Sequence, residues 1–358
     1  MTGTVLARRP LPELSRNRRA WPTWRRRGRI MFISNRGEDP DVFAVWDMAD
    51  DGSGLRQLTA DDTYSDHWVR VNWAGTRMVV ARSRASQSNG NGANHTPGGG
   101  VQEYLWLADL DGTYQPEPLW AHPDTPEGPI NNDAGWTDMG HPSWLRSDDW
   151  IYVAAKTEPG VDSRDFGIWR IHVATGEQQA VWTNPDRVIG DPEGSAEGDI
   201  LCMFQTSDGA LLTGKLDIWR CEPDGTARRA VTSETNWETP SPSSDYDPTA
   251  SPDGRWVAWL RADDPTWFLG LGRWSAAVAS ADGQTTRRAL PYDDPNSISA
   301  NPHWLDNHTL VAERSTYTGP LQLPVEYRLV RFGRIPLTEP EDITVPDDSR
   351  NDRFPHPY

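Results

Sequence analysis

The chain has 358 residues, a formal net charge of −17, and many glycines (30), prolines (30) and tryptophans (19). So acidic a chain argues against nucleic acid as a partner, because phosphate contacts require surface cations. We see no apolar run long enough to span a membrane and no apolar core of a signal peptide. We therefore expect a cytoplasmic protein, or an exported one if a leader has been removed.

The chain begins with a basic segment. Residues 1–36 contain ten arginines against a single acid, Glu13, so the remainder is still more acidic than the whole. We interpret residues 1–20 as a basic arm. It is suited either to binding a polyanion or to lying across the acidic body, and we favour the second interpretation.

From residue 21 onward a unit recurs six times, at spacings of roughly 50 residues. Its clearest copy is 246–260, YDPTASPDGRWVAWL, which reads as a strand entered through a proline, a Ser-Pro-Asp-Gly turn and a second strand. Third strands such as 104–110 follow, and most end at an acidic or glycine-containing turn that leads to a short fourth strand. The proline recurs at or next to the same register in five copies: Pro22, Pro142, Pro192, Pro248 and Pro302.

Six repeats of four antiparallel strands predict an all-β fold, a six-bladed β-propeller. Proline suits the innermost strand of each blade, because an edge strand does not need every backbone donor. We place the propeller at residues 21–346. The tail, 347–358, or the segment before Trp21 would lie against the last blade and close the ring.

The copy at 246–260, with GRIMFISNR at 28–36 and LRQLT at 55–59, resembles the PD40 (WD40-like) repeat of TolB-like propellers. The resemblance covers roughly residues 20–345. It implies the fold but no single function, because similar propellers occur in a translocation-associated periplasmic protein, in prolyl-oligopeptidase-like peptidases and in oligogalacturonate lyases. The lyases use a histidine-rich manganese site, and this chain offers fewer histidines at the equivalent mouth.

Most long connections are predicted on one face of the ring, and we expect the functional site there. The residue before each proline faces the channel mouth on that side. Four successive blades offer oxygen or nitrogen ligands for Ca²⁺ or Mn²⁺: His141, Asp191, Asp247 and Asn301. The alternative is that these residues belong to the repeat and bond only to the loop backbone.

A second column lies where the second strands end, and it contains Arg82, Arg261 and Arg314, with Lys156 nearby. Arginine suits carboxylate or phosphate ligands. The alternative is that these arginines pair with the aspartates of the first column and hold the blades together. Aromatic residues that would face a sugar or an aromatic ligand are Trp68, Trp136, Trp237, Trp267 and Tyr317.

Three functions remain open. The first is a ligand-binding propeller that holds a small molecule, glycan or peptide with an anionic group. The second is a lyase, hydrolase or cyclase with His141, His67 or His303 as the general base and the arginines as oxyanion stabilisers. The third is a protein-interaction scaffold. The absence of a G-x-S-x-G elbow and of a second domain for a hydrolase triad argues against a peptidase. We favour the first function, in a monomer, because without an appended domain the funnel of the channel must carry whatever specificity exists.

Overall fold

The computed structural model describes residues 28–357 except 39–41, 62, 85–102, 158–165, 207–214, 233–243, 263–273, 284–285, 289–296, 318–323, 334–340 and 345–351. Within these residues all helix or strand elements are β-strands, arranged in six four-stranded antiparallel sheets. The prediction of a six-bladed all-β propeller is confirmed. No helix in the described part of the chain is long and apolar enough to cross a membrane.

Each blade runs from an inner strand at the channel to an outer strand at the rim. Blade 1 contains β1 (Arg29–Ser34), β2 (Ala44–Ala49) and β3 (Arg56–Gln57). Blade 2 contains β4 (Tyr64–Val71), β5 (Arg77–Arg84), β6 (Tyr104–Asp109) and β7 (Trp120–Ala121). Blade 3 contains β8 (Asp138–Trp144), β9 (Trp150–Lys156), β10 (Gly167–His172) and β11 (Gln178–Trp182).

The second half of the ring repeats this order. Blade 4 contains β12 (Ile189–Gly194), β13 (Ile200–Gln205), β14 (Leu216–Cys221) and β15 (Arg229–Ala230). Blade 5 contains β16 (Ser244–Ala250), β17 (Trp256–Ala262), β18 (Trp274–Ser280) and β19 (Thr286–Arg288). Blade 6 contains β20 (Ser297–Trp304), β21 (Thr309–Tyr317), β22 (Pro324–Gly333) and β23 (Glu341–Asp342).

The inner strand of blade 1 comes from the other end of the chain. Strand β24 (Asp352–Pro357) pairs antiparallel with β1, with Met31 opposite His356. Ser34 Oγ donates a hydrogen bond to Asp352 Oδ1 at 2.7 Å, and Arg36 pairs with the same carboxylate. Trp21 and Pro22, where we expected the first inner strand to begin, lie outside the described residues. The C-terminal segment therefore takes the innermost place in this sheet.

Tryptophans two residues after the repeated proline join neighbouring inner strands. Trp144 Nε1 donates to the Arg70 carbonyl oxygen at 2.9 Å, and Trp304 Nε1 donates to the Thr249 carbonyl oxygen at 3.3 Å. Both indoles are fully buried. Burial of rings this large contributes strongly to stability, and each buried N–H has an acceptor in the adjacent blade.

Glycines in the turns between third and fourth strands bring adjacent blades together. Gly52 and Gly112 have positive φ, and a Cβ on either would overlap a backbone carbonyl oxygen of the preceding blade, Ile343 and Leu58 respectively. Gly225 meets Val181 in the same way. These positions therefore require glycine both for backbone conformation and for close approach between blades.

Candidate functional site

The residue before the repeated proline lies in a bulge of the inner strand. His141, Asp191, Asp247 and Asn301 all have φ between 47° and 54°, and the strand register shifts at each of them. Asn, Asp and His are the non-glycine residues that most often adopt this left-handed conformation. The backbone therefore accounts for part of the residue choice in this column.

Three of these four side chains meet at the channel mouth. His141, Asp191 and Asp247 each offer a ligand atom, and the three atoms lie within 4.8 Å of one another. His141 Nδ1 is 2.7 Å from Asp191 Oδ1 and 3.8 Å from Asp247 Oδ1. Three successive blades thus supply a nitrogen and two carboxylate oxygens to one point.

The electrostatics of this group are unfavourable for two ionised carboxylates. Burial, with the Asp191 charge beside it, raises the pKa of Asp247 to about 7, although His141 and Arg70 act in the opposite direction. The Asp191 and Asp247 side chains are only 6% and 18% exposed. A buried pair of carboxylates is stabilised by a nearby positive charge.

These atoms fit a divalent cation. Adjacent ligand atoms lie about 3 Å apart around an ion with ligand distances of about 2.1 Å; His141 Nδ1 lies 2.7 Å from Asp191 Oδ1 and 3.8 Å from Asp247 Oδ1, so the more distant atom would have to move inward on binding. The two carboxylates suit Ca²⁺ or Mn²⁺, and the imidazole adds a nitrogen ligand. The three residues would hold the ion and leave its other coordination positions for water or ligand.

The remaining members of this column have other contacts. Asn301 Nδ2 donates to Glu313 Oε2 at 3.3 Å and is not part of the three-residue group. The Trp68 indole stacks on the His141 ring, with centroids 4.5 Å apart and planes at 33°. In blade 1 the register places Phe354 at the equivalent bulge of β24.

A second ring, which the sequence reasoning did not recognise as a group, lies one step deeper. Its described members are the residues two positions after the first column, since alternate strand residues share a face: Arg70, Ser143, Glu193, Thr249, His303 and His356. The two-residue offset from the first column was the sequence signal that could have identified this ring. Of its members, the sequence analysis names only His303 as a candidate site residue.

Contacts across the channel show that the second ring faces inward. Arg70 Nη2 donates to His303 Nε2 at 3.0 Å, and Arg70 Nε lies 3.5 Å from Glu193 Oε2. These residues belong to blades 2, 6 and 4. Because a guanidinium only donates, His303 accepts at Nε2 and is the neutral tautomer with its proton on Nδ1. The His303 and His356 rings are 5.5 Å apart at 78°.

The arginine column contacts aspartates of its own blades. Arg82 Nε donates to Asp66 Oδ1 at 2.7 Å, and its guanidinium lies over the Tyr64 and Tyr114 rings. Arg261 Nη1 is 3.3 Å from Asp245 Oδ1. Arg82 and Arg261 are 2% and 4% exposed, whereas Arg314 is half-buried. Arg82 and Arg261 are therefore paired with aspartates, but these are Asp66 and Asp245 of their own blades, which do not belong to the first column.

The other predicted residues are dispersed. His67 Nε2 is hydrogen-bonded to Ser83 Oγ, and Trp136 is a fully buried core residue packed against Trp120. Lys156 Nζ lies 3.9 Å from Asp138 Oδ2, and burial raises the pKa of Asp138 to about 6 against the effect of Lys156. Trp237 and Trp267 lie outside the described residues. Tyr317 ends β21, and only its backbone is described.

Solved structures with this fold differ in function. TolB from Acinetobacter baumannii matches with TM-score 0.60 and 12% identity, covering 93% of this chain and 67% of that chain. Kuenenia stuttgartiensis hydrazine synthase matches with TM-score 0.63 and 15% identity, covering 92% of this chain and 46% of that chain. An oligogalacturonate lyase from Vibrio parahaemolyticus has TM-score 0.49 and 11% identity, covering 88% and 74%.

Neither a family model nor a curated protein sequence matches the chain. At these identities the structural likenesses establish the fold and nothing about activity. The chain has the six-bladed propeller fold found in TolB.

Proposed function

We propose that this protein is a ligand-binding propeller that holds an anionic small molecule, glycan or peptide at the channel mouth through a divalent cation on His141, Asp191 and Asp247. The supporting observation is the meeting of three ligand atoms from three successive blades within 4.8 Å. The cation offsets two buried carboxylates, and its remaining coordination positions receive an oxygen of the ligand.

The surroundings of the three residues support binding. Trp68 covers one face of the His141 ring and fixes its orientation, and it also lies 4.4 Å from the Arg70 guanidinium. The inner strands are rigid, paired elements, so the ligand atoms are held before the ion arrives. Such preorganisation increases affinity because less motion is lost on binding.

The enzyme alternative loses one of its supports. Arg82 and Arg261, our candidates for oxyanion stabilisers, are buried against their own aspartates. The contact between His141 Nδ1 and Asp191 Oδ1 at 2.7 Å is compatible with a metal ligand and with a general base alike. The pairing of the arginines is therefore the observation that favours binding over catalysis.

Equilibrium dialysis against Mn²⁺ and against Ca²⁺, followed by elemental analysis, tests the cation site. We expect one equivalent of one of these ions in the wild type and a loss of at least tenfold in affinity in Asp191→Asn and in Asp247→Asn. Asp253→Asn is the matched control, because this exposed carboxylate lies in a turn of the same blade as Asp247. A wild type that binds neither ion, or a control that loses binding equally, would contradict the proposal.

A further inference from the structure

A buried positive charge lies beside the three residues of the cation site. The Arg70 guanidinium carbon is 4.4 Å from the centroid of the Trp68 ring, and the Trp68 and His141 rings are 4.5 Å apart. These two contacts keep Arg70 within roughly a Debye length, about 8 Å at physiological ionic strength, of the imidazole. Because arginine stays protonated in proteins, this charge is permanent.

Contacts with other groups hold Arg70 at this distance. Its Nη1 donates to the Val69 carbonyl oxygen at 3.0 Å, and its Nη2 donates to His303 Nε2 at 3.0 Å. Its Nε lies 3.5 Å from Glu193 Oε2. Each guanidinium nitrogen thus has a partner, and in the described part of the chain no hydrogen bond or ion pair joins Arg70 to the carboxylates of the cation site. Arg70 therefore acts on these carboxylates through space.

The charges of the two layers of the channel influence each other. Burial lowers the pKa of Arg70, whereas the charges of Glu193 and Asp247 raise it. Burial and the Asp191 charge raise the pKa of Asp247, whereas His141 and Arg70 lower it. Arg70 is 4% exposed, so solvent screens its charge only weakly. A cation bound beside it would be repelled by Arg70 and attracted by Glu193.

We propose that Arg70 and Glu193 set the affinity of the cation site, with Arg70 weakening and Glu193 strengthening the binding of a divalent cation. This inference rests on the proposed function, because it concerns the same cation. The repulsion from Arg70 makes the ion easier to release than the three ligands alone would. Such a site suits an exchangeable ion and not a permanent structural one.

Isothermal titration of the full chain with Mn²⁺ and with Ca²⁺ measures the effect. We expect Arg70→Gln to bind the ion at least threefold more tightly than the wild type and Glu193→Gln at least threefold more weakly. The double variant lacks both charges and is expected to lie between them. A merely structural role would weaken binding in both single variants, so the opposite signs identify the electrostatic effect.

Arg82→Gln is the matched control for these titrations. It removes another buried arginine of blade 2, one that is paired with Asp66, and is expected to leave the cation affinity unchanged. Glu193→Gln keeps the size of its side chain and is expected to fold even if Arg70→Gln does not. Circular dichroism verifies that each variant is folded.

A second measurement requires no cation. Urea unfolding in EDTA at pH 8 compares the wild type, Arg70→Gln, Asp247→Asn and the variant with both changes. We expect Arg70→Gln to cost less stability when Asp247 is already asparagine, because the attraction between the two charges is then absent. If the two losses are additive, or if an ion binds and Glu193→Gln does not weaken it, this inference is overturned and the proposed function stands. If the wild type binds neither ion, both are overturned.

Discussion

Replacing Asp247 by asparagine separates the charge of this carboxylate from its size. Burial and the neighbouring Asp191 raise the pKa of Asp247 from 3.8 to about 7. The folded state therefore favours the protonated acid. Its stability contribution is complete below pH 3.8, decreases as the pH rises toward 7, and is constant above that value. Asparagine does not ionise, so this pH dependence disappears in Asp247→Asn.

The size of the effect follows from the pKa difference. The interval from 3.8 to about 7, at about 1.4 kcal/mol per pKa unit, sets an upper value of about 4 kcal/mol. The Asp247 side chain is 18% exposed, so solvent screens part of this cost. We expect Asp247→Asn to be more stable than the wild type by about 1–3 kcal/mol at pH 8 without a divalent cation.

Denaturant unfolding at pH 4 to 8 in EDTA measures this difference, and repeating it with Mn²⁺ or Ca²⁺ reduces it. An ion present at one hundred times its dissociation constant stabilises the wild type by about 2.7 kcal/mol, and a variant with tenfold weaker affinity by only about 1.4 kcal/mol. If the variant is less stable than the wild type at pH 8 in EDTA, the carboxylates are not in electrostatic conflict. If the ion stabilises both proteins equally, it does not bind at Asp247.

Three further changes test other parts of the structure. Arg82→Met leaves the Asp66 carboxylate buried without its cation, so we expect a loss of about 3–5 kcal/mol in the free energy of unfolding by urea and unchanged cation binding; equal stability would contradict the pairing. In Gly112→Ala the new Cβ would meet the backbone of the preceding blade. Gly75→Ala is the control, because Gly75 also has a positive φ but nothing lies within 4 Å of its Cβ. We expect Gly112→Ala to lower the free energy of unfolding by about 1–3 kcal/mol more than Gly75→Ala, and equal losses would refute the close contact. Lys156→Met removes a charge that lowers the pKa of Asp138, so a carboxyl titration by NMR should show a pKa higher than about 6. The variant should then lose stability relative to the wild type as the pH rises above about 6 toward its own higher pKa; an unchanged pKa would contradict this coupling.

The fold was accessible from the sequence because its determinants are local and repeated. The proline of the inner strand and the glycine of the hairpin turn each have a conformational reason that holds within a few residues. The closure of the ring could be predicted only in part. Phe354 and Pro355 repeat the residue-proline pair of the inner strands, but the pairing of Asp352 with Ser34 depends on where the sixth blade ends in space.

The candidate site was accessible in part, and for the same reason. One residue per blade in a fixed position places side chains around one axis, so the column containing His141 and Asp247 could be read directly from the repeat. The repeat does not determine which neighbours make contact, such as the hydrogen bond from the Asn301 amide to Glu313. The contact from Arg70 to His303 crosses the channel between non-adjacent blades, which no local pattern records.

The pairing of β1 with β24 also determines the order in which the protein can fold. The remaining strand pairs join segments that are near neighbours in sequence, so the sheets of blades 2 to 6 form by closing short loops. The contact between Ser34 and Asp352 spans 318 residues, and the entropy of closing so long a loop is recovered only when the other blades already hold its ends together. Blade 1 is therefore expected to be the last sheet to assemble during synthesis. The pocket that His356 and Pro357 line together with Arg70 and Glu193 is complete only after that step.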